Sequence, residues 1–204
     1  MTNVQEPSTS STLAVADRFL EIGKSFESAA KSTFPAAVAE AARLLGDSYE
    51  RGGKLLVFGN GGSASDAQHL CGELVVRFQK SRRRALGAIA LCTDAAVMTS
   101  CANDFAYDDV FARQVEALGR PGDIALGIST SGSSPNVVKG LQMARSLGLS
   151  TILMTGQKPL QNASDYDLVL AAPGGNTARI QEFHLAAYHM ICELIETRFF
   201  GESL

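Results

Sequence analysis

Five short apolar runs, separated by stretches of helical periodicity, decide what this chain can fold into. Lys54-Leu-Leu-Val-Phe58 leads straight into Gly59-Asn-Gly-Gly-Ser63. Ile124-Ala-Leu-Gly-Ile128 leads into Ser129-Thr-Ser-Gly132, and Thr151-Ile-Leu-Met154 into Thr155-Gly156. Ala88-Ile-Ala-Leu91 and Leu168-Val-Leu-Ala171 complete the set, the last followed by Pro173-Gly-Gly175. Between and after the runs, helical patterns cover 64–78, 95–102, 108–118, 135–147 and about 178–200. A strand that is apolar throughout is buried on both faces, and such strands pair in parallel through helical crossovers. Those crossovers are right-handed. The alternation predicts a doubly wound α/β sandwich.

Two helices precede the first strand. Over 13–34, apolar Leu13, Ala16, Leu20, Gly23 and Ala30 are mixed with charges. Pro35 suits the first turn of the next helix, whose stripe Ala37, Ala41, Leu44, Leu45 and Tyr49 ends at Gly52-Gly53. Met1 to Thr12 is polar and rich in Ser and Thr, which predicts a flexible tail ahead of a single domain over 13–204. The tail lacks the basic start and apolar stretch of a secretory signal, which points to the cytoplasm. With 46% hydrophobic and 19% charged residues, the chain has the material for a core and is not a disordered polypeptide.

A net charge of −3 argues against nucleic acid as a partner. No apolar run approaches the roughly 18–20 residues that cross a bilayer, so no membrane partner is expected. Arg82-Arg-Arg84, after Lys80, reads either as a polyanion contact or as a solvated loop, and the acidic total favours the loop. Cys71, Cys92, Cys101 and Cys192 form no CxxC pair; they read as reduced, mostly buried thiols, with two disulfides as the alternative.

In open α/β sheets ligands bind beyond the carboxyl ends of the strands. Two loops there have unusual composition: Gly59-Asn-Gly-Gly-Ser-Ala-Ser65 and Ser129-Thr-Ser-Gly-Ser-Ser-Pro135. Each opens a helix, where free N–H groups and the helix dipole favour an anion. Either loop alone reads equally as a tight turn with its cap. Two at corresponding strand ends point to a small phosphate ester. Neither matches GxGxxG or GxxxxGK[ST], so a nucleotide cofactor is not expected.

The three histidines stand at 69, 184 and 189. His69 and Glu73 are four apart on one helical face, with Asp66 before them and Arg77 after. On the last helix Gln181 and His189 are eight apart, about 2.2 turns, and share a face. Two helices could therefore converge His69, Glu73, Gln181 and His189 on a zinc or similar ion. Each pair alone reads as well as a surface contact or a packing histidine, and the spacing is not HExxH.

Four strings carry a resemblance: Gly59-Asn-Gly-Gly-Ser-Ala-Ser-Asp-Ala-Gln-His69, Ala102-Asn-Asp-Phe105, Gly127-Ile-Ser-Thr-Ser-Gly132 and Arg179-Ile-Gln-Glu-Phe-His184. In this order they resemble the phosphoheptose isomerases, which are sugar-isomerase (SIS) domain proteins. The resemblance implies a three-layer sandwich around a five-stranded parallel sheet. It also implies a homotetramer with active sites between subunits, and conversion of sedoheptulose 7-phosphate to D-glycero-D-manno-heptose 7-phosphate. Carried over by motif, Asn60, Gly61, Gly62, Glu73, Asn103, Asp104 and Gln181 would contact the sugar. Ser129, Thr130, Ser131 and Ser134 would hold its phosphate. His69, Glu73, Gln181 and His189 occupy the zinc-ligand positions, one ion per subunit, and Glu73 and His189 match the acid–base pair.

The sequence departs from the family at two places. Ala178 stands where some members have an acidic residue, and Gln157-Lys-Pro-Leu-Gln-Asn162 is shorter than the usual loop. No family role attaches to His184, which suggests packing or support from behind the site. Two other readings compete: a non-catalytic SIS protein of the type that binds the DnaA replication initiator, or an isomerase for another ketose phosphate. The initiator-binding relatives have lost the side chains at the positions of Glu73 and His189, and both are present here.

Overall fold

A computed structural model describes residues 9–160 and 162–201. Two helices, α1 (Thr9–Ala30) and α2 (Phe34–Glu50), precede β1 (Leu55–Gly59). Then follow α3 (Gly62–Val75), β2 (Ala88–Ala90), α4 (Ala95–Asp104) and α5 (Val110–Leu118). The chain continues through β3 (Ile124–Ile128), α6 (Pro135–Ser146), β4 (Ser150–Gly156), β5 (Leu168–Ala172) and α7 (Thr177–Phe200). The strands form one five-stranded sheet in the order β2-β1-β3-β4-β5, parallel at every pairing. All five apolar runs are strands of the expected α/β sandwich.

Strand periodicity sorts the core into two layers. Leu55 and Val57 of β1 face α2, α3 and α7, among Leu45, Leu70, Tyr188 and Ile195. Leu56 and Phe58 face the other way, onto Phe111 of α5 and Val137 and Leu141 of α6. Every residue of β1 and β3 is buried, because helices cover both faces. β2 is the exception, partly exposed at the edge of the sheet.

The N-terminus differs from expectation. Helix α1 begins at Thr9, so Thr9 to Thr12 are helical and not tail; residues 1–8 lie outside the described residues. It also stops at Ala30, where Lys31 to Thr33 turn the chain and the Ser32 hydroxyl accepts from the N–H of Phe34. Helix α1 touches the rest of the chain mainly near its end, where the Phe26 ring lies 4.2 Å from that of Phe183. Among the described residues no helix is long and apolar enough to cross a membrane. All four cysteines are free, two buried and two half-buried.

Candidate active site

Register brings the ends of β1 and β3 together, Gly59 opposite Ile128, so the two glycine–serine loops emerge side by side. Asn60 joins them. Its Nδ2 donates to Asn136 Oδ1 and its Oδ1 accepts from Asn136 Nδ2, both at 2.9 Å, and the Tyr107 hydroxyl donates to the same Oδ1 at 2.9 Å. Most of the Asn60 amide thus fixes one loop against the start of α6, leaving one N–H for a ligand. Gly61 follows at φ +55°, a conformation that favours glycine, and Gly62 opens α3.

In the second loop the Ser129 hydroxyl lies 2.9 Å from that of Ser134 and 3.4 Å from that of Ser131. Ser129, Ser131 and Ser134 therefore curl into one nest at the α6 N-terminus, with Thr130 on the cavity beside it. The curl turns on Gly132 at φ +70°, where a β-carbon would stand 2.5 Å from Leu160 Cδ2 and 2.9 Å from Thr155 Oγ1. Thr130 and Ser131 border a cavity of about 520 Å³ whose far wall is Asn176 and Thr177 at the start of α7. Asn176 caps that helix, its side chain accepting from the Arg179 N–H at 3.1 Å. A helix start at the cavity wall and a hydroxyl nest beside it make an anion site. Lys158 adds a cation at the rim. Its signal in the sequence is its place in the loop after β4, at the same end of the sheet.

Helices α3 and α7 run alongside in the same direction, with Gln181 against Gly62 and Tyr188 against His69. His69, Glu73 and His189 converge, with one donor atom of each within 4.8 Å of the others. His69 Nε2 lies 3.1 Å from Glu73 Oε1, and His69 Nδ1 lies 2.9 Å from the hydroxyl of the buried Tyr188. Nε2 of His189 is buried and has no partner. Burial, aided by His69 and opposed by Glu73, holds the His189 imidazole below its ordinary pKa, so it stays neutral and offers a lone pair. Two imidazoles and a carboxylate with an unpartnered nitrogen fit a divalent ion of the zinc type.

Gln181 does not join this cluster. Its amide lies where a β-carbon of Gly62 would be, seven residues and about 10 Å along α3 from His69. Eight residues on α7 return Gln181 to the face of His189 but displace it by about 12 Å along the axis. Asn103 and Asp104 also stand apart. Exposed at the end of α4, they are bonded to each other at 2.7 Å, and Asp104 borders a different hollow from that of Thr130 and Ser131.

His184 is fully buried behind the serine loop, with Nε2 3.2 Å from the Thr155 carbonyl oxygen. Burial lowers its pKa despite that contact. The arginine run is not a solvated loop throughout. Arg83 is buried in an ion pair with Glu196, because the segment after α3 folds back onto α7. Glu196 was not singled out from the sequence, since a charge seven residues beyond His189 carries no motif.

Fold and loops together define a SIS domain protein, and a SIS domain family model matches residues 18–156. The chain is 49% identical over 168 residues to the phosphoheptose isomerase of Roseiflexus sp., a match covering 82% of this chain and 84% of that one. Solved phosphoheptose isomerases superpose on it as well. The protein from Neisseria gonorrhoeae gives a TM-score of 0.84 at 37% identity, covering 91% of this chain and 98% of the other. The protein from Francisella tularensis gives 0.86 at 35% identity, covering 92% and 98%. The chain belongs to the phosphoheptose isomerase family.

Proposed function

We propose that this chain is a sugar phosphate isomerase of the cytoplasm that converts sedoheptulose 7-phosphate to D-glycero-D-manno-heptose 7-phosphate. The observation that carries the reading is the convergence of Glu73 and His189, a carboxylate and a neutral imidazole from two helices, beside His69. The phosphate is held by Ser129, Thr130, Ser131 and Ser134 with the α6 N-terminus, and the sugar by Asn60, Gly61, Gly62 and Gln181, with Asn103 and Asp104, which stand apart within one chain, reaching it from another copy. Anchoring the phosphate fixes where the carbonyl end can go.

Glu73 takes the proton from C1 of the ketose, leaving a cis-enediolate, and returns it to C2. His189, kept neutral by burial, accepts the proton of the O1 hydroxyl when its lone pair is not engaged by an ion and delivers it to O2, which yields the aldose. His69, Glu73 and His189 would hold one zinc ion. When bound, zinc supplies Lewis-acid stabilisation of the developing oxyanion.

The protein works as a homotetramer with shared active sites. Along α7, Thr177 at the phosphate cavity and His189 are separated by about 18 Å, longer than an extended seven-carbon sugar phosphate. A second copy therefore brings its acid–base pair to the phosphate site. The test is direct: purified protein incubated with sedoheptulose 7-phosphate yields an aldoheptose 7-phosphate, and Glu73→Gln abolishes turnover without unfolding. An inactive, folded wild type with zinc supplied sinks the reading.

A further inference from the structure

Arg83 and Glu196 form a buried ion pair at 2.6 Å, with side chains 1% and 3% exposed. Nothing about the pair is left unsatisfied. Glu196 Oε1 also accepts from the N–H of Phe78, and Oε2 from those of Gln79 and Lys80, each at 2.9 Å. Burial pushes the Glu196 carboxyl up, but Arg83 and the three N–H groups outweigh it and hold it at about 2. On the other side, Arg83 Nη1 donates to the carbonyl of Leu74 at 2.8 Å and Nη2 donates to the carbonyl of Glu73 itself.

Stability alone does not require such a device, because well-packed apolar residues do as well as a buried ion pair. What an ion pair adds is fixed geometry, and here one end grips the main chain of a site residue while the other sits on the helix that carries His189. Arg83 grips the main chain of Glu73 at the last turn of α3. Glu196 is seven residues beyond His189 on α7, on nearly the same face. We infer that Arg83 is a positioning residue: by tying the last carbonyls of α3 to Glu196 of α7, it sets the separation of Glu73 and His189. This rests on the isomerase reading above for its consequence in turnover, but not for its consequence in metal binding.

Arg83→Lys keeps the charge, but an ammonium on a flexible stem cannot hold Glu196 and both carbonyls in one planar fork. The folded variant is expected to lose about tenfold in kcat, with KM within about twofold because the phosphate anchor is untouched. Zinc affinity, read by competition with a chromophoric chelator, is expected to fall by a similar factor. Glu196→Gln, nearly isosteric, is expected to do the same. Thermal unfolding run in parallel separates a loosened site from a lost fold. Folded variants with wild-type kcat and zinc affinity would overturn the inference. So would failure of both variants to fold, which makes the pair structural only. A wild type that binds zinc but does not turn over the heptose phosphate rejects the function instead, and the zinc comparison still judges the pair. A wild type that does neither rejects both.

Discussion

Tyr188 decides which nitrogen of His69 is available. Its hydroxyl lies against the Asp66 carboxyl on one side and 2.9 Å from His69 Nδ1 on the other. When the Tyr188 oxygen accepts from His69 Nδ1–H, the tautomer is set and His69 Nε2 is left to ligate an ion beside Glu73 and His189. Outer partners of this kind fix the tautomer of a ligating histidine, and their loss costs about 10–100-fold in metal affinity or activity. Tyr188→Phe is therefore expected to weaken zinc at least tenfold while the fold and KM persist, which chelator competition and steady-state kinetics would check. A wild-type zinc affinity in the variant would remove Tyr188 from the site. None of this was readable from the sequence, where Tyr188 is one aromatic in an apolar stripe. His69 and Glu73 were readable, because a four-residue step fixes both face and height on a helix. The pairing of Gln181 with His189 is less legible, since an eight-residue step keeps the face but moves about 12 Å along the axis, and Gln181 lies against Gly62. At the serine loop, Gly132→Ala places a β-carbon against Leu160 and Thr155 at positive φ. The backbone term alone is about 1–2 kcal/mol. The loop is expected to shift, raising KM for the phosphorylated sugar several-fold more than it lowers kcat.

The pair of helices α3 and α7 is the element-scale unit of the site. Their parallel course is fixed at three levels: Gln181 on Gly62, Tyr188 on His69, and Glu196 on the segment that follows α3. The lowest level responds to acid. The folded Glu196 carboxyl titrates at about 2 against an ordinary 4.5, so the unfolded chain binds the proton more readily. Its stabilisation is whole above about 4.5 and disappears as pH falls from there toward about 2. Urea midpoints of wild type and Glu196→Gln are thus expected to differ most near pH 5 and to converge toward pH 2–3. A gap that stays constant across that range would mean that the charge is not what stabilises. Elements were the part of the fold most plainly written in the sequence. Strands apolar on both faces have few alternatives, and every run became a strand. The end of α3 was placed three residues too late, at Phe78, because the helix is stopped by Arg83 reaching its last carbonyls, a contact outside any local pattern.

For the molecule as a whole, α1 is the element a single chain does not explain. Leu13, Phe19 and Leu20 are 62%, 69% and 65% exposed, and an apolar groove of about 470 Å³ opens between α1, α2 and α7 beside Phe26, Phe183 and Leu194. An uncovered face of that size marks an interaction surface. The tetramer reading assigns it to further copies of the chain, so Leu194→Glu is expected to elute as a smaller species and unfold at a lower temperature. The stronger test is of shared sites. Thr177, at the wall of the phosphate cavity, and His189 are separated by about 18 Å along α7 of one chain, so each site would take its nest from one copy and Glu73 from another. Co-express two variants that are each inactive, Glu73→Gln and Ser131→Asp, whose new carboxylate repels the phosphate. In mixed tetramers some sites draw their nest from the first variant and their Glu73 from the second, and those sites are intact. Random mixing is expected to restore up to about a quarter of wild-type activity. Sites built within one chain would contain a defect in every case, and the mixture would then be as inactive as its parts.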